Sequence, residues 1–213
     1  MNLKVENDEI ERRILNAFPV EIREDVINVI KLMPSGKDRS FALSSDDIEK
    51  VHVLNSTLSI PYRIYFKRPD IYYFPPPITE IPTIDESNKI NYSIFNCIYS
   101  RDDNGYFRQA CLERLIPLSD PWIPPFVLKL LSEYVIEIIE VIAASVEKLN
   151  FELYEMFIRN NPFFITKMKK RIISYWACYF IHQYKTFTDF PGFIAGESLG
   201  IWTRQEVRRV RGY

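Results

Sequence analysis

The stretch that decides the fold runs from residue 122 to residue 149 and reads WIPPFVLKLLSEYVIEIIEVIAASVEKL. Pro124 and Pro125 suit the first turn of a helix, where a missing N–H costs no hydrogen bond. No glycine or proline follows before Asn150. Large apolar residues recur at helical spacing, and they are Phe126, Val127, Leu130, Leu131, Tyr134, Val135, Ile138, Ile139, Val141 and Ile142. The pattern predicts one long helix from Pro124 to Leu149 that neighbours bury on several sides.

Two shorter helices are predicted directly before this one. They span Asn91 to Tyr99 and Tyr106 to Ile116, and the polar turn Asp102-Asp103-Asn104-Gly105 joins them. The charged side chains of this segment, which include Arg101 and Arg108, have two interpretations. They form either an anchor for a partner or a buried lock of the turn, and the lock is favoured because an arginine joins helix ends well.

The residues of this hairpin also carry a resemblance. An acid in the turn is followed by an aromatic-arginine pair, a small residue and leucines, which are Asp103, Phe107-Arg108, Ala110, Leu112 and Leu115. This order resembles the helical hairpin of HEAT-type repeats, in which the acid and the arginine help to lock neighbouring units. The resemblance covers residues 88–149 and one unit only, since no second copy occurs at a period of about 35 to 50 residues.

With 213 residues the chain can bury a large core. We therefore expect one mainly α, compact domain over residues 1–213, with a HEAT-like hairpin, the long buried helix and one small β-hairpin. Its expected parts are an N-terminal helical hairpin with the β-hairpin (1–67), a proline-rich and aromatic strap (68–88), a helical core (89–185) and a glycine-containing basic tail (186–213). The tail is expected to be irregular as far as Leu199 and to finish in a short helix from Thr203 to Arg211.

Further elements are predicted from periodicity and breakers. Helical spacing predicts helices within residues 8–17, 19–33, 151–158 and 163–184. In the last of these, seven residues are expected to point inward, namely Phe164, Met168, Ile172, Tyr175, Trp176, Tyr179 and Phe180. Alternation from Val51 to Phe66 around the pair Asn55-Ser56 predicts the β-hairpin, and Pro61 confines its second strand to an edge or splits it.

Residues 69–82 hold five of the 14 prolines of the chain together with Tyr72, Tyr73 and Phe74. Such a segment is extended, because proline fixes φ and cannot continue a helix. Two roles are open for it. It is either a strap packed on its own domain, which is the favoured reading, or an exposed partner-binding site.

Composition excludes several classes of protein. A formal charge of −1 and 47% hydrophobic residues indicate a folded protein without an overall attraction to nucleic acid or anionic membranes. Cys97, Cys111 and Cys178 are widely spaced, which fits neither a disulfide framework nor a zinc site. The charged N-terminus does not read as a signal peptide, and no uncharged stretch is long enough to span a bilayer. We expect a cytoplasmic protein that is not inserted in a membrane.

Three glutamates form the one catalytic candidate. Glu133, Glu137 and Glu140 are spaced to share a helical face, as glutamates do in di-metal bundles. No histidine follows at the spacing of such sites, and His52 has no nucleophile pattern around it. The favoured interpretation is a solvated ridge or a row of ion pairs. We therefore expect no catalytic residue, metal or cofactor.

Basic residues cluster twice near the C-terminus, in Lys167 to Arg171 and in the arginines Arg204, Arg208, Arg209 and Arg211. On one face and beside aromatic rings such as Trp202, these runs would suit contacts with phosphates.

The leading functional expectation is a non-enzymatic module for protein–protein interaction or regulation. Its candidate contacts are Tyr72, Tyr73, Phe74 and the four C-terminal arginines. The alternative is a nucleic-acid-associated protein that uses the two basic runs. A second alternative is an enzyme that uses the glutamate row.

Overall fold

A computed structural model describes residues 11–33, 42–43, 48–65 and 84–212. The prediction of a mainly α fold is confirmed. The chain forms two compact units, Met1–Leu115 and Ile116–Tyr213. A single domain over residues 1–213 stays a prediction. The strap around Tyr72, Tyr73 and Phe74 lies outside the described residues.

The elements follow one another in simple order. The helices of the first unit are α1 (11–15 among the described residues), α2 (Arg23–Leu32), α3 (Lys89–Tyr99) and α4 (Gly105–Leu115). Its strands are β1 (Ala42–Leu43), β2 (Glu49–Val53), β3 (Ser56–Ile60) and β4 (Ile64–Tyr65). The helices of the second unit are α5 (Pro124–Leu131), α6 (Ile136–Ser145), α7 (Phe151–Asn160), α8 (Pro162–Tyr175), α9 (Pro191–Ser198) and α10 (Arg204–Arg211).

The predicted β-hairpin is the antiparallel pair β2 and β3. Its turn is Leu54-Asn55, one residue earlier than predicted, because Val53 pairs with Ser56. Leu54 has a φ of 54°, a conformation that a leucine adopts at some cost in strain. The second strand ends before Pro61, which separates it from β4, and β4 pairs with β1. The backbone N–H of Ser59 donates to the carbonyl oxygen of Asn16 (2.7 Å), which joins the hairpin to the segment after α1.

The hairpin of α3 and α4 confirms the prediction for this segment. The Asn88 side chain caps α3 by accepting a hydrogen bond from the N–H of Asn91. In the connecting turn, Asp102 and Asn104 side chains accept from the N–H groups of Asn104 and Tyr106. These short-range bonds are typical of a turn that stops one helix and starts the next. Helices α2 and α4 both pack on α3.

The prediction of one continuous helix from Pro124 to Leu149 was wrong. Helix α5 ends at Leu131 and α6 begins at Ile136, and a 3-10 turn follows it at Val146–Lys148. The Ser132 hydroxyl donates to the carbonyl oxygen of Lys129 (3.0 Å), and Val135 is extended, with a ψ of 107°. A serine hydroxyl that bonds the backbone locally competes with the helical ladder. Helix α5 is buried along its whole length and contacts α6, α7 and α8, so central burial is confirmed for this part.

The helix predicted over 163–184 also changes its winding. Helix α8 gives way at Trp176 to a π-helical segment, Trp176–Phe180, in which each turn holds more residues than an α-turn. The indole N–H of Trp176 donates to the carbonyl oxygen of Tyr184 (2.9 Å). The winding change alters which side chains point inward after Tyr175.

The tail is more ordered than predicted. Instead of an irregular segment up to Leu199, the chain forms a 3-10 turn at Phe187–Asp189 and then α9, which packs on α6. Its glycines allow close packing. A Cβ on Gly196 would lie 2.6 Å from the indole nitrogen of Trp202. The final basic helix, α10, is confirmed, with Thr203 as its N-cap.

Candidate binding surfaces in residues 116–213

Helix α10 is fixed at its start by a capping box. The Thr203 hydroxyl accepts from the N–H of Glu206 (3.2 Å), and the Glu206 carboxylate accepts from the N–H of Thr203 (2.7 Å). The same carboxylate pairs with Lys169 Nζ of α8 (2.7 Å). Lys169 Nζ also lies 5.4 Å from the ring centroid of Trp202. One lysine therefore joins the two basic runs of the sequence.

Two further observations describe the charge of α10. Partial burial alone would raise the pKa of Glu206, but hydrogen bonds from Lys169 and from Thr203 hold this pKa below its ordinary value of 4.5. At the other end, Arg211 Nη2 pairs with Glu197 Oε2 of α9 (2.6 Å). The helix is therefore held against α8 and α9 by charges at both ends.

The four predicted arginines are all exposed on α10. Arg204, Arg208 and Arg211 fall within about 60° of one another around the helix axis, and Arg209 projects from another side. Among the described residues, Arg211 has an acidic partner in Glu197. We name the exposed side of α10 that carries Arg204, Arg208 and Arg211 the arginine face.

A second surface lies where both predicted long helices are interrupted. Tyr134 follows the end of α5, Tyr175 ends α8, and Tyr179 lies in the π-helical segment. Tyr134 and Tyr179 are 54% and 63% exposed, and Tyr175 is half-buried. The ring centroids of these three residues are 5.9 to 6.5 Å apart, with interplanar angles of 46° to 76°. We name this cluster the tyrosine surface.

Sequence reasoning placed all three tyrosines in the core, and this was wrong for Tyr134 and Tyr179. Both were assigned inward by extending an α-helical period across a break, at residues 132–135 in one case and at the π-helical segment in the other. Phe180, assigned inward by the same pattern, is buried. No glycine or proline marks either interruption in the sequence.

Acidic and polar groups follow Tyr134 and Tyr179 in the chain. Glu137 and Glu140 are exposed on α6, and the Tyr184 hydroxyl donates to Glu140 Oε1 (2.8 Å). Desolvation by burial, together with Glu140, raises the pKa of Tyr184 to about 12. The Tyr184 hydroxyl therefore stays protonated at neutral pH and links α6 to the segment after Tyr179.

The predicted glutamate row does not form. Glu133 lies in the break after α5 and is 2% exposed, whereas Glu137 and Glu140 lie on α6 and face solvent. Lys129, four residues before Glu133, is buried with the rest of α5. Within the described residues, no three His, Cys, Asp or Glu side chains are grouped as a possible metal site.

The charged turn of the first unit is a buried lock, as favoured. Arg108 Nη1 donates to the carbonyl oxygens of Asp102 (3.0 Å) and Asp103 (2.8 Å). Arg101, Asp102 and Arg108 are all buried, so this cluster presents little surface to a partner. Burial also raises the pKa of the nearby Cys111 thiol to about 12, which keeps it protonated and a poor nucleophile.

No family model, no curated protein and no solved structure was found to match the chain. Among the described helices, none has the length and apolar character needed to cross a membrane. The arginine face and the tyrosine surface of the second unit are therefore the candidate functional sites among the described residues.

Proposed function

We propose that the protein is a non-enzymatic interaction module that binds a protein partner through the tyrosine surface. The observation that supports this is the cluster of Tyr134, Tyr175 and Tyr179 rings at the protein surface. Grouped exposed aromatic rings are uncommon on soluble monomers, and tyrosine is enriched among residues that dominate binding energy at interfaces.

The mutual ring contacts favour this role further. A tyrosine side chain offers a large contact area and has only two rotatable bonds, so little entropy is lost when it is ordered by a partner. Rings that already pack on one another lose less still. The tyrosine surface is therefore organised before binding.

Affinity capture with the full chain as bait tests this proposal. We expect a set of proteins that the wild type and Tyr106→Ser both enrich and that Tyr134→Ser/Tyr179→Ser loses. Tyr106 is the matched control, because it is an exposed tyrosine of the other unit. Circular dichroism checks that the variants keep their helical content. Equal capture by the wild type and the double variant would contradict the proposal, as would a turnover that depends on the chain.

The second candidate function is binding of nucleic acid by the arginine face and the run from Lys167 to Arg171. The ion pair of Lys169 with Glu206, which joins α8 to α10, favours it. Phosphate contacts by lysine and arginine release counterions, so the logarithm of the binding constant falls linearly with the logarithm of salt concentration.

Fluorescence anisotropy with a labelled single-stranded oligonucleotide tests the second candidate between about 50 and 200 mM salt. If the candidate holds, Arg204→Gln/Arg208→Gln/Arg211→Gln weakens binding and lowers the salt slope. Arg159→Gln is the control, because Arg159 is an exposed arginine of α7 that pairs with Glu155. Binding that is equal in the wild type and the triple variant rules out this role for α10.

Two finer expectations join the proposal. The α3 and α4 hairpin is proposed as a single HEAT-type unit, supported by the packing of α4 on α3 and by the buried Arg108 in its turn. The break between α5 and α6 limits this likeness to the hairpin.

A cytoplasmic location is proposed because Cys97, Cys111 and Cys178 are free thiols, which reducing compartments maintain.

A further inference from the structure

The three rings of the tyrosine surface lie at similar distances from one another. Their centroids lie 6.3, 6.5 and 5.9 Å apart, which makes a nearly equilateral triangle. A group placed above the middle of this triangle lies about 4 to 5 Å from all three centroids, and a ring attracts a cation that lies over its face within about 6 Å of its centroid. The interplanar angles of 76°, 46° and 46° mean that the rings are splayed and not stacked face to face.

Acidic side chains outnumber basic ones along the segments that carry these rings, and the nearest basic residues that flank the second segment are Arg171 and Lys185. Residues 132–147 contain four glutamates and no lysine or arginine, and residues 172–184 contain no residue with a permanent charge. Glu140 is held beside the second segment by its hydrogen bond from Tyr184 (2.8 Å). An apolar guest would gain contact with the rings alone, whereas a cation gains from the ring faces and also from the exposed carboxylates of Glu137 and Glu140.

We propose that the tyrosine surface binds the ammonium group of a lysine side chain, methylated or not, on a protein partner. This inference rests on the proposed interaction function and names the chemistry that the partner presents. The arginine face carries charge of the opposite sign, so the proposal also predicts that the two surfaces select different partner segments.

Titrations of the full chain, followed by the NMR signals of ¹³C-labelled tyrosine rings, test the proposal. The probes are choline and 3,3-dimethyl-1-butanol, which have the same shape and differ in charge, and a short peptide with one central lysine or trimethyllysine. We expect the lysine peptides to bind more tightly than choline and to shift the Tyr134, Tyr175 and Tyr179 signals. We expect the neutral alcohol to shift them much less. An equal response to choline and to the alcohol would contradict the cation requirement.

Variants separate ring chemistry from shape. Tyr179→Phe keeps an aromatic face and should bind the peptides within about twofold of the wild type, whereas Tyr179→Leu should weaken binding at least about threefold. Glu137→Gln should weaken it less, and Tyr106→Leu, in the other unit, should have no effect. Peptide affinity that is unchanged in Tyr179→Leu would overturn the proposal.

The remaining outcomes are also decisive. Tighter binding of choline than of either peptide would assign the surface to a free small ammonium compound and overturn the protein partner. Self-association that Tyr179→Leu abolishes would assign it to a second copy of the chain, with the same consequence. If affinity capture depends on Tyr134 and Tyr179 but choline and the alcohol behave alike, the interaction function stands and the cation inference fails.

Discussion

The tyrosine surface and helix α10 belong to the same unit, yet different forces hold them in place. Contacts between neutral rings hold the tyrosine surface, and the Tyr184 hydroxyl donates to Glu140 in the same unit. Helix α10 depends on ion pairs at both ends and on a capping box. Ion pairs of exposed groups are weakened by salt and by protonation, whereas packing of neutral rings is not. Acid and salt should therefore loosen α10 before they affect the tyrosine surface.

The largest effect should come from Trp202, which contacts both aromatic rings and a charged lysine. Trp202 is buried against Phe187 and Phe193, donates from its indole N–H to the carbonyl oxygen of Phe193 (3.2 Å) and lies under Lys169. We expect Trp202→Ala to lower the free energy of unfolding by about 3 to 5 kcal/mol in urea titrations.

The matched control is Phe163→Ala, because this aromatic side chain is 90% exposed in the same unit. It should change the free energy of unfolding by less than about 0.5 kcal/mol. A loss below about 1 kcal/mol for Trp202→Ala would mean that Trp202 does not anchor the start of α10.

Adding one methyl group tests how closely α9 packs on Trp202. A Cβ on Gly196 would lie 2.6 Å from the indole nitrogen, so Gly196→Ala should destabilise by about 1 to 2 kcal/mol, although alanine favours helix. Ser198→Ala, at an exposed position of α9, serves as the control and should stay within about 0.5 kcal/mol of the wild type. A stabilised Gly196→Ala would show that this contact has room to relax.

Acid should act on α10 through Glu206. Its pKa is lower in the folded chain than the ordinary value of 4.5, so its contribution is present above that value and is lost as the pH falls through the folded pKa. We expect Glu206→Gln to destabilise by about 1 kcal/mol at pH 7 and to differ less from the wild type as the pH falls below 4.5. Urea titrations across this pH range measure it. If the difference in free energy of unfolding between Glu206→Gln and the wild type does not change with pH, the role of the charge is contradicted. Glu155→Gln is the control, because Glu155 forms an exposed ion pair.

The smallest effect should come from alkali, which acts on Tyr184, the residue that links α6 to the segment after Tyr179. Its pKa of about 12 exceeds the ordinary value of 10, so its contribution is complete below the ordinary value and is lost as the pH rises through the folded pKa. Ultraviolet titration of the phenols should lose one late-titrating group in Tyr184→Phe. The loss of one partly exposed hydrogen bond should cost about 0.5 kcal/mol near pH 7. If the phenol that is lost in Tyr184→Phe has a pKa near 10, the raised pKa of Tyr184 is contradicted.

Much of the fold could be predicted because its signals are local. The capped and polar turn between α3 and α4, the alternation of the β-hairpin and the Thr203 and Glu206 pair that starts α10 are each contained within a few residues. Short-range hydrogen bonds determine these features, so sequence spacing is enough to find them.

The tyrosine surface could not be predicted, because it depends on two interruptions without a glycine or proline. At Ser132 the hydroxyl bonds the carbonyl oxygen of Lys129, and at Trp176 the winding changes to a π-helix. When the helical period is continued across either interruption, Tyr134 or Tyr179 is assigned to the buried side of the helix, although both are exposed. The glycines of α9 led to the opposite error, because they predicted an irregular segment where the chain forms a helix. Gly196 permits close packing and does not form a turn.

The most direct test of the account is whether Tyr134, Tyr175 and Tyr179 form one exposed cluster in solution. An aromatic nuclear Overhauser spectrum of the full chain with ¹³C-labelled tyrosine, recorded with and without a soluble paramagnetic agent, measures both proximity and exposure. The account predicts cross-peaks between the Tyr134 ring and the rings of Tyr175 and Tyr179, and strong relaxation of Tyr134 and Tyr179 by the agent. Absent cross-peaks, or rings that the agent does not reach, would contradict it.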